Sequence, residues 1–240
     1  MQKDSILNII LVGIGLCTIC GAVISTVAVS LKDQQEQNVI FDQQSKIIDA
    51  ARLLEFYPSS IEALESIKEV IVDLNDGQPS DYPSDQYDLD TILRDSSQHK
   101  VLNGADDIAM ISVRENISKV FIEYRNNEFK TLILPVRGYG LWGTLYGYLA
   151  LDSDLNTIVG LEFYKHKETP GLGAEVDNPN WKKLWNGKKV YDENGLVQIE
   201  VIKGFSNPGS EEYSYEVDGL SGATITSKGV SNLLAFWLGD

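Results

Sequence analysis

The sequence predicts an α+β protein in which one N-terminal transmembrane helix is followed by a mixed helix and antiparallel-sheet domain. Three observations predict it. The chain opens with an uncharged run of 27 residues, Ser5 to Leu31. Apolar residues then recur at helical spacing through Phe56. From Lys119 onward the apolar period is that of strands, in pairs joined by turn residues.

The uncharged run is rich in Ile, Val, Leu and Gly. A bilayer span needs about 20 such residues, so the run can cross with tilt. A cleaved signal peptide has a shorter apolar core, about 7–15 residues. Bulky Ile19 precedes Cys20, which argues against a lipoprotein anchor. Gly13, Gly15, Gly21, Ala22 and Ser25 suit close helix packing in lipid. Cys17 and Cys20 share one face and read as small apolar packers. Lys3 on one side, and Lys32 and Arg52 on the other, leave the orientation open.

After the span, Lys32 to Phe56 reads as a helix, with Ile40, Phe41, Ile47, Ile48, Ala51 and Leu54 at helical spacing and Pro58 as its stop. Its polar start makes it a continuation of the span, a stalk. Ser59 or Ser60 caps a second helix running to Leu74, closed by Asp76-Gly77. Gln78 to Asp90 is an acidic surface loop. Lys119–Tyr124 and Phe129–Val136 flank Asn126-Asn127 as a hairpin. Leu145–Leu151 and Thr157–Tyr164 form a second pair around Asp152-Ser153-Asp154. Asn178–Trp185 is a short helix and Val197–Ile202 a further strand. Thr226–Leu238 is an amphipathic helix with Val230, Leu233, Leu234 and Trp237 on one side. The organisation expected is a tail at 1–5, the transmembrane helix at 6–31, a stalk and acidic loop packing on the domain at 32–100, and the domain itself at 101–240.

Composition removes several function classes. A net charge of -15 argues against nucleic-acid binding, which needs basic side chains to neutralise phosphates. Both cysteines lie in the apolar run, so the rest of the chain holds neither a disulfide nor a thiolate site. Two histidines, His99 and His166, supply too few ligands for zinc or an iron–sulfur cluster. Redox chemistry here needs an organic cofactor. No nucleophile–base pair is visible, and His166 is the one base close to a motif.

Three strings carry chemistry. Gly138-Tyr139-Gly140-Leu141-Trp142-Gly143 matches G-x-G-x-x-G, but strand-like residues follow where a dinucleotide fold needs a helix. It is instead a glycine-rich loop between strands, with Tyr139 and Trp142 as loop anchors or stacking rings. His166-Lys167-Glu168-Thr169-Pro170-Gly171-Leu172-Gly173 is a tight turn with exposed amides. Asp218 to Ser227, centred on Ser221-Gly222-Ala223-Thr224, leads into the last helix. Free amides at a helix start suit a phosphate, and small neighbours leave a threonine hydroxyl accessible. From the residues alone this third string is an N-cap region.

Together with Asp33-Gln34-Gln35 and Asp42-Gln43-Gln44-Ser45-Lys46-Ile47 in the stalk, these strings resemble the C-subunit family of the sodium-translocating NADH:quinone oxidoreductases, over essentially the whole chain. Asp218-x-x-Ser221-Gly222-Ala223-Thr224 looks like the family's flavin-attachment motif. The resemblance implies an FMN-binding domain whose FMN is joined to Thr224 as a phosphodiester by a flavin transferase, with Thr226 as the other hydroxyl to consider. It also implies that Glu168, Thr169, Gly171, Leu172 and Gly173 form a flavin-pocket loop. Tyr139, Trp142 and Leu172 would pack on the ring, with Gly140 and Gly143 letting backbone approach and Lys203 near the phosphate. Ser221 would shape the turn, and Asp218 would serve the transferase. The chain would be an electron carrier in a membrane complex of six subunits in the bacterial inner membrane, with the B, D and E subunits nearest and its soluble part periplasmic. One electron would arrive from a membrane iron–sulfur centre and leave to the FMN of the B subunit. NADH oxidation, ubiquinone reduction and sodium transport would belong to the assembly. Two alternatives stand beside this: the G subunit of an Rnf ferredoxin:NAD oxidoreductase complex, and a cofactor-free, membrane-tethered interaction module.

Overall fold

The computed structural model describes residues 6–239; the tail expected at residues 1–5 lies outside the described residues. The chain divides into two compact units, Met1–Gln43 and Gln44–Asp240. The first consists of most of helix α1, which spans Ile6–Ala50. Among the described residues this is the one helix long and apolar enough to cross a membrane. Between Ile6 and Leu31 no side chain is buried, so its apolar surface finds no protein partner. Ile40 and Phe41, expected in the apolar stripe of the stalk, are also exposed.

The second unit is built on a five-stranded sheet of order β1-β4-β5-β6-β7, antiparallel throughout. The strands are β1 (Ile67–Asp73), β4 (Ile117–Arg125), β5 (Glu128–Tyr139), β6 (Thr144–Asp152) and β7 (Ile158–Lys165). Strands β2 (His99–Val101) and β3 (Val113–Glu115) form a separate small hairpin that the sequence did not announce. The Asn126-Asn127 hairpin forms as expected. Arg125 pairs with Glu128, and both asparagines take positive φ, which is the two-residue primed turn that matches strand twist. The β5–β6 hairpin places Tyr139 opposite Thr144, so Gly140–Gly143 is its turn.

Alternation along the strands gives the sheet two apolar faces. One carries Val136, Leu145, Leu149, Leu161 and Phe163, and is covered by helix α5 (Thr224–Leu238) and by Trp181 and Trp185. Val230, Leu233 and Leu234 of α5 are fully buried there. Each such side chain contributes about 1.5–3 kcal/mol of burial, which fixes the helix on the sheet. The other face carries Phe121, Ile133, Tyr148 and Ala150, and is covered by Ile47, Ile48, Ala50, Ala51, Leu53 and Ala63. Buried carboxylates bind the edges of this layer. Glu123 accepts from Tyr57, Arg125 and Thr131, and Glu162 accepts from Lys46 and Lys182.

Three element expectations need correction. The helix read to Phe56 ends at Ala50. Arg52 adopts a left-handed backbone (φ 52°), and a short 3-10 turn, Leu53–Glu55, then drops Leu53 into the core, well before Pro58 acts. The helix read to Leu74 is only α2, Ser60–Glu65, capped by Ser59 as expected. Its second half is β1, because Ile67, Val70, Ile71 and Val72 pair with β4 from Ile67↔Glu123 to Asp73↔Ile117. Residues 67–73 therefore belong to the main sheet, and the compact unit begins at Gln44. The strand read at Val197–Ile202 shrinks to β8 (Glu200–Val201), paired in parallel with β9 (Glu216–Val217). Helix α3 (Leu89–Arg94), capped by Asp88, begins at the end of the loop read at Gln78–Asp90, and helix α4 (Pro179–Lys182) with the turn Lys183–Trp185 matches the short helix expected there.

Candidate functional site

The three sequence strings meet at one end of the second unit. Helix α5 begins at Thr224 with Ala223 in the N-cap position, and no side chain caps it. Alanine is among the poorest N-caps. The first helical bond is Ser227 N–H to the Ala223 carbonyl, so the amides of Thr224, Ile225 and Thr226 precede it. The expectation of a capping region at Thr224 is thus corrected in detail: the helix starts two residues early and its threonine caps nothing.

Around this terminus most polar side chains have partners inside the protein. Ser227 Oγ accepts from Leu220 N–H at 3.0 Å, in buried surroundings. Asp218 Oδ1 accepts from the amide and hydroxyl of Ser206 at 2.8 and 2.7 Å, and its carbonyl accepts from Trp181 Nε1 at 2.8 Å. Thr226 is fully buried and donates its hydroxyl to Glu168 Oε2 at 2.5 Å. Thr224 and Ser221 are exposed. Of the two threonines, Thr224 is the one with an accessible hydroxyl. Gly222 turns the chain into the helix with φ +71°, a conformation suited to glycine, and lies directly against Leu172.

The two other strings line up beside it. Glu168 Oε1 accepts from the amides of Leu141 and Trp142 at 3.0 and 2.9 Å, which ties the β5–β6 turn to the 166–173 loop. His166 is braced on both ring nitrogens. Nδ1 accepts from Glu168 N–H at 3.1 Å, and Nε2 lies 2.7 Å from Asp177 Oδ2. That engagement removes it as a free general base. Leu172 N–H and Ala174 N–H both close on the Thr169 carbonyl, with Gly171 at φ +74°. The stem of Lys167 lies over Gly143. Tyr139, Leu141, Trp142, Leu172 and Ile225 are all exposed, Trp142 by 61%. This rim of exposed apolar side chains, near helix amides that lie ahead of the first helical bond, can receive a ligand with a flat apolar part and an anionic part.

Most residues named from sequence therefore fall in one place. Tyr139, Gly140, Trp142, Gly143, Glu168, Gly171, Leu172, Gly173, Gly222, Ala223, Thr224 and Thr226 are joined by the contacts just given or adjoin those that are. Thr169 holds its own turn. Asp218 holds the 204–206 segment, and exposed Lys203 lies on that segment, beside the Gly204 carbonyl that accepts from Gly219 N–H. Sequence reasoning missed Ile225 in the rim. It also missed Gly229, and it named Gly138 only as part of the glycine-rich string; at these two glycines β5 and α5 lie too close for a Cβ. The signal available was two glycines inside regular elements, a strand and a helix, where they are otherwise unfavourable.

Residues 140–239 match the family model of the FMN-binding domain. The chain is 45% identical to the C subunit of the Na(+)-translocating NADH-quinone reductase of Pseudomonas aeruginosa, covering 99% of this chain and 93% of that protein. It belongs to that C-subunit family. The Yersinia pestis member is 36% identical over the full length of this chain and 91% of its own. Among solved structures, NqrC of Shewanella oneidensis superposes with a TM-score of 0.74 at 32% identity, covering 82% of this chain and 90% of that one. The C subunit from Parabacteroides distasonis gives 0.63 at 30% identity, covering 88% and 98%. The family assignment favours the C-subunit reading over the Rnf alternative. The matched FMN-binding stretch begins at Gly140 and includes all of the 166–173 loop and α5. Every residue of the Thr224 terminus and its rim lies within it, except Tyr139.

Proposed function

We propose that this chain is the electron-carrying C subunit of a sodium-translocating NADH:quinone reductase, holding FMN as a phosphodiester on Thr224. The observation that carries the reading is the helix start itself. It joins an exposed threonine hydroxyl, three amides ahead of the first helical bond, an alanine where a capping side chain belongs, and an apolar rim. Bound FMN supplies a ring that takes up and releases single electrons.

The chain's own residues divide the remaining work. Amides of Thr224, Ile225 and Thr226 offer donors to a phosphate, aided by the positive end of α5. Trp142, Leu172, Tyr139 and Ile225 offer apolar surface to the ring, while Gly222 lets Leu172 come close. Thr226 is unsuited to attachment, because its hydroxyl is buried and already donated. A covalent tie prevents loss of the flavin outside the cytoplasm, where it could not be recaptured.

The same proposal extends to the surrounding assembly, supported by the family resemblance. Helix α1 anchors the chain in the inner membrane, the soluble unit faces the periplasm, and the B, D and E subunits are its neighbours. One electron arrives from a membrane iron–sulfur centre and departs to the FMN of the B subunit. A flavin transferase makes the ester before function begins. The test is direct. Chain purified from its own cell is unfolded in acid and weighed intact. The expected result is yellow colour that stays with the polypeptide, and a mass increase of about 440 Da on the peptide containing Thr224. A colourless polypeptide of unmodified mass would overturn the proposal.

A further inference from the structure

Glu168 is 6% exposed, yet its carboxylate is shared between two parts of the site that are far from it and from each other in sequence. Oε1 takes the amides of Leu141 and Trp142, 27 and 26 residues upstream. Oε2 takes the hydroxyl of Thr226, 58 residues downstream. The carboxylate is also boxed in. A Cβ on Gly140 would stand 2.6 Å from Oε1, and one on Gly173 would collide with Oε2 and stand 2.6 Å from the Thr226 hydroxyl. Its own amide is held by His166, which is held in turn by Asp177. Glycines at 140 and 173 are thus needed for Glu168 to reach where it does.

Resting on the flavin reading above, we propose that Glu168 is the positioning and specificity residue of the site. By the family resemblance it would sit in the flavin pocket; here its acceptor sites point at protein donors. Its first task is to hold the Trp142 turn against the 166–173 loop, so that the apolar rim is formed before any ligand arrives. Its second is to engage the Thr226 hydroxyl, which leaves Thr224 as the open one of the two threonines at the helix start. In the flavin transfer the Thr224 oxygen attacks the FMN-side phosphorus of FAD. The new bond is oxygen to phosphorus, the pyrophosphate bond breaks, AMP leaves, and the hydroxyl proton passes to solvent. No electron is gained or lost.

The experiment uses the full chain co-produced with its flavin transferase, as wild type, Glu168→Gln, Glu168→Ala and Thr226→Val. Each is read by peptide mass, by fluorescence yield of the attached flavin, and by its midpoint potential. Glu168→Gln keeps one oxygen for the two turn amides, so it is expected to retain attachment at Thr224 and near wild-type fluorescence. Glu168→Ala frees the turn, and its flavin fluorescence is expected at least to double as the ring loses its packing, with the potential moving toward that of free FMN. Thr226→Val removes the hydroxyl that Oε2 takes but leaves the turn amides bound, so it is expected to shift fluorescence and potential by less than Glu168→Ala does; an equal shift would overturn the role given to the turn contacts. A folded Glu168→Ala chain with unchanged fluorescence and potential would overturn the positioning role. If Glu168→Ala does not fold, Glu168→Gln carries the test: the same loss of packing there would show that oxygen geometry is not what Glu168 supplies. Wild-type chain without flavin would instead sink the proposed function, a distinguishable failure.

Discussion

Replacing Gly138 by alanine sets two physical effects against each other. Glycine inside a strand is unfavourable by roughly 0.5–1 kcal/mol relative to alanine, so backbone entropy alone predicts a more stable protein. Packing predicts the reverse. A Cβ at 138 would lie 2.7 Å from Cβ of Leu233, 3.2 Å from its Cα and 3.3 Å from its Cγ. Carbon atoms pack best at about 3.5–4.0 Å, so the contact is short by roughly 1 Å. The offending atoms include helix backbone, and Leu233 is fully buried, so no side-chain rotation relieves it. Strand β5 or helix α5 must shift. Overpacking costs about 1–3 kcal/mol, and a clash with helix backbone this short falls at about 2–3 kcal/mol; against an entropy gain of up to about 1 kcal/mol, the net loss is about 1–2 kcal/mol. For a unit of this size, that lowers the midpoint of thermal unfolding by about 2–8 °C. The assay is thermal unfolding of the full chain in detergent, followed by near-ultraviolet circular dichroism. An unchanged or raised midpoint would refute the packing account.

Thr224→Val is expected to abolish the mass increase while differing in stability from the wild-type chain made without flavin by less than about 0.5 kcal/mol, since the side chain is exposed and caps nothing. Peptide mass and a urea curve check both halves. Glu123→Ala strips the common acceptor from Tyr57, Arg125 and Thr131 in a fully buried position. Its loss is expected to cost about 3–5 kcal/mol, nearer the lower figure because Arg125 can reach solvent, and denaturant titration measures it. Asp154 gives a pH signature. Burial raises its carboxyl, but hydrogen bonds from Thr157, Asn156 and Lys189 outweigh that and hold it well below the usual carboxylate range. A depressed folded-state value means the stabilisation is present above the unfolded value, about pH 4, and is lost as pH falls below it. The stability gap between wild type and Asp154→Ala should therefore close on acidification below about pH 4; a gap that persists to the bottom of the titration would contradict it.

Local chemistry made part of this fold legible. Asn126-Asn127 announced its turn because asparagine tolerates left-handed backbone, the β6–β7 pair was legible around Asp152-Ser153-Asp154, and the β5–β6 turn was legible as a glycine-rich loop between two strands. Helix α5 was visible in the spacing of Val230, Leu233 and Leu234. What stayed hidden depended on partners distant in sequence. Ile67–Asp73 reads equally well as the end of a helix until β4, some fifty residues on, offers its edge. The β8–β9 pair is two residues long, too short for any period. The site divided in the same way. Its strings were recognisable singly, and resemblance joined them. Yet the role of Glu168 rests on donors at 141, 142 and 226, which only the folded chain brings together.

Why a protein should end with a helix that lacks a cap is itself informative. Serine or aspartate at position 223 would serve the free amides, at a gain of typically about 1 kcal/mol over alanine. Here Ser227 and Asp218, two nearby side chains able to accept, are turned to Leu220 and Ser206. The helix start is therefore left to be completed from outside, and on the proposed function a phosphodiester on Thr224 would do so from the first helical position. An anion in that place stabilises by about 0.3–1 kcal/mol when exposed and up to about 2 kcal/mol when partly buried, and burial of Trp142 and Leu172 beneath a ring adds to it. Chain carrying the flavin should thus unfold at a temperature several degrees above the same chain produced without the transferase, about 2–4 °C for each kcal/mol. Thr224→Val produced with the transferase should match the unmodified chain. If modified and unmodified chains melt together, the open helix start is not a cap awaiting its phosphate, and the flavin is held in some other way.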